Sequence, residues 1–385
     1  MKYPVFLSVA LGSATLVGAA KDNCAPASPA TCYPDDCCKT YCMGPENYGV
    51  NAPVNPITCN GDWEITVAGF YWRAYQPGME YAIKNLVSNE ETDERAHLID
   101  AKFKNPHFDW DFGFKIGLGY NTTCDGWDFG VLWTQYKGSA SSHEEAENDD
   151  NTTLLNIWSN FRSTDNGDPL FTTDMETHWK VNLNLVDISL GRKYWNSKRL
   201  ALRPHIGIRI AFINQDYDIH SKGGSWSLVT PNVNGELNID NDFNGAGIRA
   251  GFDTTWNFGC GWAIYGNFAL SIINGHYNID ENETTRQAVE PHAKQAVMEV
   301  EDSFRDSSFM TDLALGIQYS SLFCDCQYGM TVSLGWEQHI FANQNQMWRI
   351  VNKEGSAGSD DDNSYHQRRG DLSTQGWTLS VKFDF

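Results

Sequence analysis

The stretch Asp109 to Tyr120 (DWDFGFKIGLGY) sets the pattern for the chain. Trp110, Phe112, Phe114, Ile116, Leu118 and Tyr120 alternate there with Asp111, Gly113, Lys115, Gly117 and Gly119. Side chains of an extended strand point to opposite faces with period two, so one face is wholly apolar and the other polar or small. Ten steps of about 3.4 Å, tilted by about 40°, rise roughly 26 Å, the height of a bilayer's apolar band with an aromatic at each rim. The chain ends in the same way: Trp377, Leu379, Val381, Phe383 and Phe385 share one face, opposite Thr378, Ser380, Lys382 and Asp384. An apolar face that stops on an aromatic, with no chain left to cover it, suits lipid, and Phe385 is the expected insertion signal.

The same alternation recurs along the chain. Ile65, Val67 and Tyr71 are expected outward in an imperfect first strand over 62–75, and Trp127, Phe129, Val131 and Trp133 after a short turn at 121–126. Trp179, Val181, Leu183 and Leu185 are expected outward next, with a β-bulge near Val186, because Ile188 and Leu190 then continue the apolar face and Asp187 the polar one. Leu200 to Phe212, Ala246 to Trp256, Trp262 to Asn274, Phe309 to Tyr319 and Tyr328 to Trp336 complete the set. Polar stretches at 76–108, 139–174, 214–241, 276–307 and 341–374 separate pairs of strands and exceed hairpin length, whereas the remaining connections are tight turns. About ten strands with long and short connections in strict alternation predict an all-β fold: a transmembrane antiparallel β-barrel, its long loops external and its short turns periplasmic. A soluble sandwich has no need of two classes of turn.

Composition agrees. The chain has 385 residues, 14 Trp, 16 Tyr, 20 Phe and 33 Gly, and a mean hydropathy of -0.45, which fits strands that are only half apolar. A formal net charge of -21 excludes nucleic acid as a partner, since phosphate binding needs a basic footprint. Lys2, the apolar run from Val5 to Val17 and the small residues Gly18, Ala19 and Ala20 predict a signal peptide over 1–20. Cys24 is not at the cut, which argues against a lipoprotein anchor. Residues 21–60 then form a Cys-rich periplasmic segment and 61–385 the barrel, in the bacterial outer membrane.

The phasing points Lys115, Lys180, Arg203, His205, Arg209 and Arg249 into the lumen with Asp111, Asp187, Asp253 and Glu337; Asp128 and Asp312 share that face. Rings of fixed charge are how pores select ions. Paired charges would instead plug a barrel this narrow. Glu337 and His339 share a strand face near the outer rim, but with no nucleophile placed beside them no catalytic site is assigned. No metal or cofactor is expected: the first histidine is His97 and the cysteine spacing is not that of paired zinc ligands.

Cys124, Cys260, Cys324 and Cys326 fall in short turns, and Cys24, Cys32, Cys37, Cys38, Cys42 and Cys59 in the N-terminal segment. All ten are therefore expected on the periplasmic side, as disulfides within the protein, to neighbouring envelope proteins or in a homo-oligomer; pairing is not readable from sequence. Several phrases carry a family resemblance: GFYWRA at 69–74, MEYAIKN at 79–85, DFGFKIGLGYN at 111–121, GWDFGVLWT at 126–134, ALRPHIGIRIAFI at 201–213 and GAGIRAGFDTTW at 245–256. Together they resemble the major outer membrane protein family of Legionella and its relatives in chlamydia-like bacteria. The resemblance implies a porin-like barrel that admits small solutes, inserted by the barrel-assembly machinery among outer-membrane lipid and lipopolysaccharide, and in chlamydial relatives cysteine cross-linking supports the envelope. The expected function is a passive small-solute channel braced by disulfides. The alternative is a structural or surface-interaction protein with a plugged lumen.

Overall fold

The structure, a computed structural model, describes residues 51–55, 57–58, 62–86, 98–122, 126–146, 152–159, 171–223, 234–286, 292–324, 327–353 and 362–385. The expected signal peptide lies outside these residues, as do Cys24, Cys32, Cys37, Cys38, Cys42, Cys59, Cys124 and Cys326.

The wall begins with β1 (Asp62–Tyr75). Short strands β2 (Ala82–Asn85), β3 (Lys102–Lys104) and β4 (His107–Phe108) occupy the first long connection. Then β5 (Trp110–Asn121) and β6 (Trp127–Glu145) form a hairpin, β7 (Thr153–Asn156) joins β2 and β3 in a small separate sheet, and β8 (Asp174–Arg192) returns to the wall. After β9 (Tyr194–Trp195) come the long strands β10 (Leu200–Lys222), β11 (Asn234–Gly259), β12 (Trp262–Arg286), β13 (Lys294–Phe323) and β14 (Tyr328–Asn345). Strands β15 (Trp348–Lys353) and β16 (Asp362–Gln367) make a hairpin of their own before the closing strand β17 (Gly370–Asp384).

Ten antiparallel strands close the ring in the order β1, β5, β6, β8, β10, β11, β12, β13, β14, β17, and β17 pairs back to β1 from Glu64–Asp384 to Tyr75–Ser373. The final residue extends that seam, for Phe385 and Trp63 exchange both backbone hydrogen bonds at 2.9 Å. Closure joins the first and last strands and removes the edges that an open sheet would have there. The first and last strands of the sequence are therefore neighbours.

Near the short turns the alternation is that of a lipid-facing wall. Phe112 is 80% exposed, Ile248 65% and Leu315 64%, and Trp63, Val67, Leu118, Phe129, Ile206, Trp256, Trp262, Leu379 and Phe385 also face outward. At the far edge of this belt Tyr71, Trp110, Phe112, Trp336 and Trp377 pack ring to ring with centroids 4.6–6.1 Å apart. Aromatic girdles of this kind sit at the bilayer interface.

Beyond the belt the wall continues, and here the structure corrects the sequence reading. Stretches expected to be loops, such as 214–241 and 276–307, are largely strand: β10 runs to Lys222, β11 starts at Asn234, β12 reaches Arg286 and β13 starts at Lys294. Alternation persists in them with reversed chemistry, because the outer face now meets water. Trp179, Val181, Leu183 and Leu185, expected outward, are buried at 0–3% exposure inside the barrel. No bulge interrupts β8, whose pairing with both β6 and β10 runs in unbroken register through Val186. The inward face changes instead, from Leu185 to Asp187, while the outward face changes from Asn184 to Val186. Lys180, expected in the lumen, is accordingly exposed on the outer wall, opposite Ser139 and Asp216.

The inward side chains of this outer half form a dry core. Trp72, Tyr136, Trp179, Leu183, Ile213, Tyr217, Phe243, Tyr277 and Phe341 come from the wall, and Met79, Tyr81, Leu154, Trp158 and Met347 from the connections folded over it. Its polar tips are satisfied: the Tyr217 hydroxyl donates to Met79 O at 2.7 Å and the Trp179 indole to Gln215 Oε1 at 3.2 Å. The wet outer wall is acidic. Asp216 lies opposite Asp240, Asp240 opposite Asp280, and Asp280 opposite Glu301, so four carboxylates stand in one row across β10 to β13.

Candidate functional site

Below the apolar core the inward faces turn polar and enclose a cavity of about 1060 Å³. Period-two alternation alone places its charges. Every second residue of β10 points in, which brings Arg203, His205 and Arg209 to the lumen as Ile206 and Ile208 meet lipid.

The charges are cross-linked around the ring. Arg203 donates through Nε to both Asp128 oxygens at 3.0 and 2.9 Å, and through Nη1 to Asp253 at 2.8 Å. Arg209, with its side chain 2% exposed, holds Asp187 at 2.6 and 2.7 Å and Asp312 at 3.1 Å. Arg249 reaches the same Asp312 at 3.0 Å and stands 3.8 Å from Asp187, so two guanidiniums share two carboxylates. His339 continues the chain, with Nδ1 at 2.8 Å from Asp312 and Nε2 at 3.4 Å from Glu337. Glu337 in turn accepts from Lys115 Nζ at 2.5 Å, and that ammonium lies 5.0 Å from the Trp72 ring centroid, under the apolar core. Forked guanidinium–carboxylate pairs are strong and directional, and burial makes breaking one costly.

Of the residues assigned to the lumen from sequence, Lys115, Arg203, His205, Arg209, Arg249, Asp187, Asp253 and Glu337 line this cavity, as do Asp128 and Asp312. Asp111 does not: its carboxylate accepts from Ser139 N and Oγ at 2.8 and 3.0 Å, just past the end of the β5–β6 ladder at Gly113–Tyr136. Glu337 and His339 lie within the lumen beneath the core, not at an outer rim. His205 is buried, 3.8 Å from Asp253, with Nδ1 unpartnered among the described residues. Alternation had no way to find Pro53, Val54, Asn55, Ile57 and Thr58, which also line the cavity from outside the wall. Of the ten cysteines, Cys260 and Cys324 are described; both are exposed in short turns, and neither has a disulfide partner among the described residues.

Two further clusters lie in the outer half, away from the membrane band. His143, Glu145 and Asp174 bring three potential metal-ligand atoms within 4.8 Å of one another at the exposed rim, where His143 pairs with Asp174 at 3.0 Å. Glu281 is a core residue, 1% exposed. It accepts from Trp348 N at 2.6 Å through Oε1, while Oε2 has no partner among the described residues. Burial pushes its carboxyl up to about 8, against the smaller opposing effect of the Trp348 bond.

Among solved structures the chain is similar to the outer membrane protease OmpT from Escherichia coli, at 9% identity and a TM-score of 0.37, covering 85% of this chain and 97% of that one. It is also similar to a Pseudomonas aeruginosa FadL homologue, at 8% identity and a TM-score of 0.27, covering 90% and 96%. A third likeness is to an anion-selective porin from Comamonas acidovorans, at 8% identity and a TM-score of 0.11, covering 84% and 100%. No curated protein matches. The sequence profile of the Legionella pneumophila major outer membrane protein precursor family matches residues 56–385, from the edge of the N-terminal segment to the final residue. This β-barrel chain belongs to that family of bacterial outer membrane proteins.

Proposed function

We propose that the protein is a structural barrel of the outer membrane, closed across its outer half, and not a freely open passive channel. The dry core built on Trp72, Trp179, Leu183, Tyr217, Phe243 and Phe341 carries this reading. A permeating solute needs a continuous polar path, and these inward side chains are packed at 0–1% exposure where that path would run. The paired charges beneath the core point the same way, since ions locked in bidentate pairs are poor partners for a passing solute. The geometry also speaks against hydrolysis at Glu337 and His339, because both imidazole nitrogens of His339 already face carboxylates.

Purified protein in a planar bilayer tests the reading. It is expected to stay silent over moderate voltages, and replacing Trp179 and Leu183 together by Gly is expected to produce conductance. Stepwise conductance from the unaltered protein, with selectivity changed by Arg209→Glu, would establish the small-solute channel in its place.

The exposure of Cys260 and Cys324 in short turns supports a second element, disulfide bracing to neighbours on the periplasmic side. Non-reducing electrophoresis of whole envelopes is expected to show oligomers that collapse on reduction and lose intensity in the Cys260→Ser, Cys324→Ser double variant. A monomer under both conditions removes this element.

A further inference from the structure

A strap from outside the wall ladder lies along the short-turn end of the barrel, against two neighbouring turns. It consists of residues 51–55 and 57–58, immediately before β1. It is fastened in register to the β8–β10 turn: Val54 N donates to Lys193 O at 3.0 Å, and Trp195 N to Ala52 O at 2.8 Å. Pro53 and Tyr194 form an isolated antiparallel bridge. On the other side the strap meets the β5–β6 turn. The Asn55 amide, 5% exposed, donates to Asn121 Oδ1 at 2.8 Å. Pro53 sits so close to Gly126 that a β-carbon there would come within 2.7 Å of the Pro53 ring, and Gly126 has a φ of +72° that favours glycine. Two turns on different strand pairs are thus spanned by one short segment that also lines the charged cavity.

We propose that this strap is the lid of a hydrophilic chamber entered from the periplasmic side, with the apolar core as its roof and small polar or charged molecules as its contents. The chamber is large enough for a ligand, at about 1060 Å³. Its walls are ionic, and His205 Nδ1, buried and unpartnered among the described residues, offers one uncommitted hydrogen-bonding group to what enters. The contacts that fasten the strap, among them the backbone bonds to Lys193 and Trp195, the Asn55–Asn121 bond and a bond from Arg192 Nη2 to Asn51 O at 3.3 Å, all lie outside the wall ladders, so its release is a local event that leaves those ladders intact. The roof rests on the structural reading, whereas the lid goes beyond it and does not depend on the outer half being closed, because it concerns access from the opposite end.

The test places a thiol inside the chamber by Ser333→Cys, in full-length protein reconstituted with the short-turn side of the liposome accessible. A charged methanethiosulfonate reagent is added on that side alone, and modification at position 333 is read by peptide mass spectrometry. With the strap intact, labelling is slow. Asn55→Ala, which removes one buried hydrogen bond, speeds it about tenfold where access follows the open population, and Pro53→Gly with Asn55→Ala speeds it further. Unchanged heat-modifiable migration shows that the barrel stays folded in each variant. Equal rates in all three proteins, fast or slow, would overturn the lid. Conductance of the same samples reports separately on the outer half, so failure of one reading is distinguishable from failure of the other.

Discussion

Leu185 and Asp187 project from the same inward face of β8, and the boundary between two kinds of barrel interior passes between them. Across the ladder the same step falls between Ala211, paired with Leu185, and Arg209, paired with Asp187. Below it the wall is apolar outside and ionic inside. Above it the wall is polar outside and apolar inside.

Truncations on the two sides of that boundary are therefore expected to differ. Leu183→Ala removes a fully buried side chain from the outer core and should cost about 2–5 kcal/mol. Ile208→Ala trims a side chain that is 52% exposed toward lipid and should cost far less. Urea unfolding in lipid vesicles, followed by tryptophan fluorescence, measures both; equal losses would contradict the exchange of faces.

In the ionic cluster, Arg209→Met leaves buried Asp187 without its bidentate partner. A loss of about 3–5 kcal/mol is expected, as for a broken buried pair. Arg249→Met should cost less, because the Arg249 side chain is 18% exposed against 2% for Arg209, and Arg209 still holds both carboxylates. The same unfolding assay ranks the two.

Glu281 sets a pH dependence on the outer half. Burial pushes its folded carboxyl up to about 8, well above the ordinary carboxylate value of 4.5, so the folded state keeps a proton that the unfolded state releases. Its contribution is fully present below about pH 4.5 and is lost as pH rises through 8. Stability should fall over that window, and Glu281→Gln, which stays neutral, should flatten the fall. Hydrogen exchange at the Trp348 amide, bonded to Glu281 Oε1, gives a local readout.

The row Asp216, Asp240, Asp280 and Glu301 sets like charges directly opposite one another, which is unfavourable in a sheet. Salt screens such repulsion, with a Debye length falling from about 30 Å at 0.01 M to about 3 Å at 1 M. Melting temperature should rise with potassium chloride, and Asp240→Asn should reduce the slope.

The lipid-facing strands were legible because lipid demands an unbroken apolar face: Phe112, Ile116 and Leu118 announce themselves, and the strand count, ring closure and turn asymmetry follow from them. The outer half was not legible. Alternation says that two faces differ, not which one meets solvent, so Trp179, Val181, Leu183 and Leu185 were aligned with the lipid face of Ile188 and Leu190, and a bulge was needed to reconcile them. The polar half of each outer strand also disguised it as loop, since Asn214, Asp216 and Asp218 meet water while Ile213, Tyr217 and Ile219 are buried. Most lumen charges were found by parity alone. Lys180 was lost to the same inverted face, and the strap at 51–55 and 57–58 left no periodic trace because it belongs to no wall strand.

The seam between β1 and β17 also bears on the order of events in folding. Lys382 and Glu64 meet at 3.2 Å across 318 positions of sequence, and Trp63 finds its last backbone partners only in Phe385. Contacts so distant in sequence form slowly, after the entropy of closing a long loop has been met. One edge of β1 therefore stays open until β17 has been delivered to it. Deleting Phe385 should leave a population of barrels arrested before closure, visible as a drop in the folded, heat-modifiable form relative to total protein.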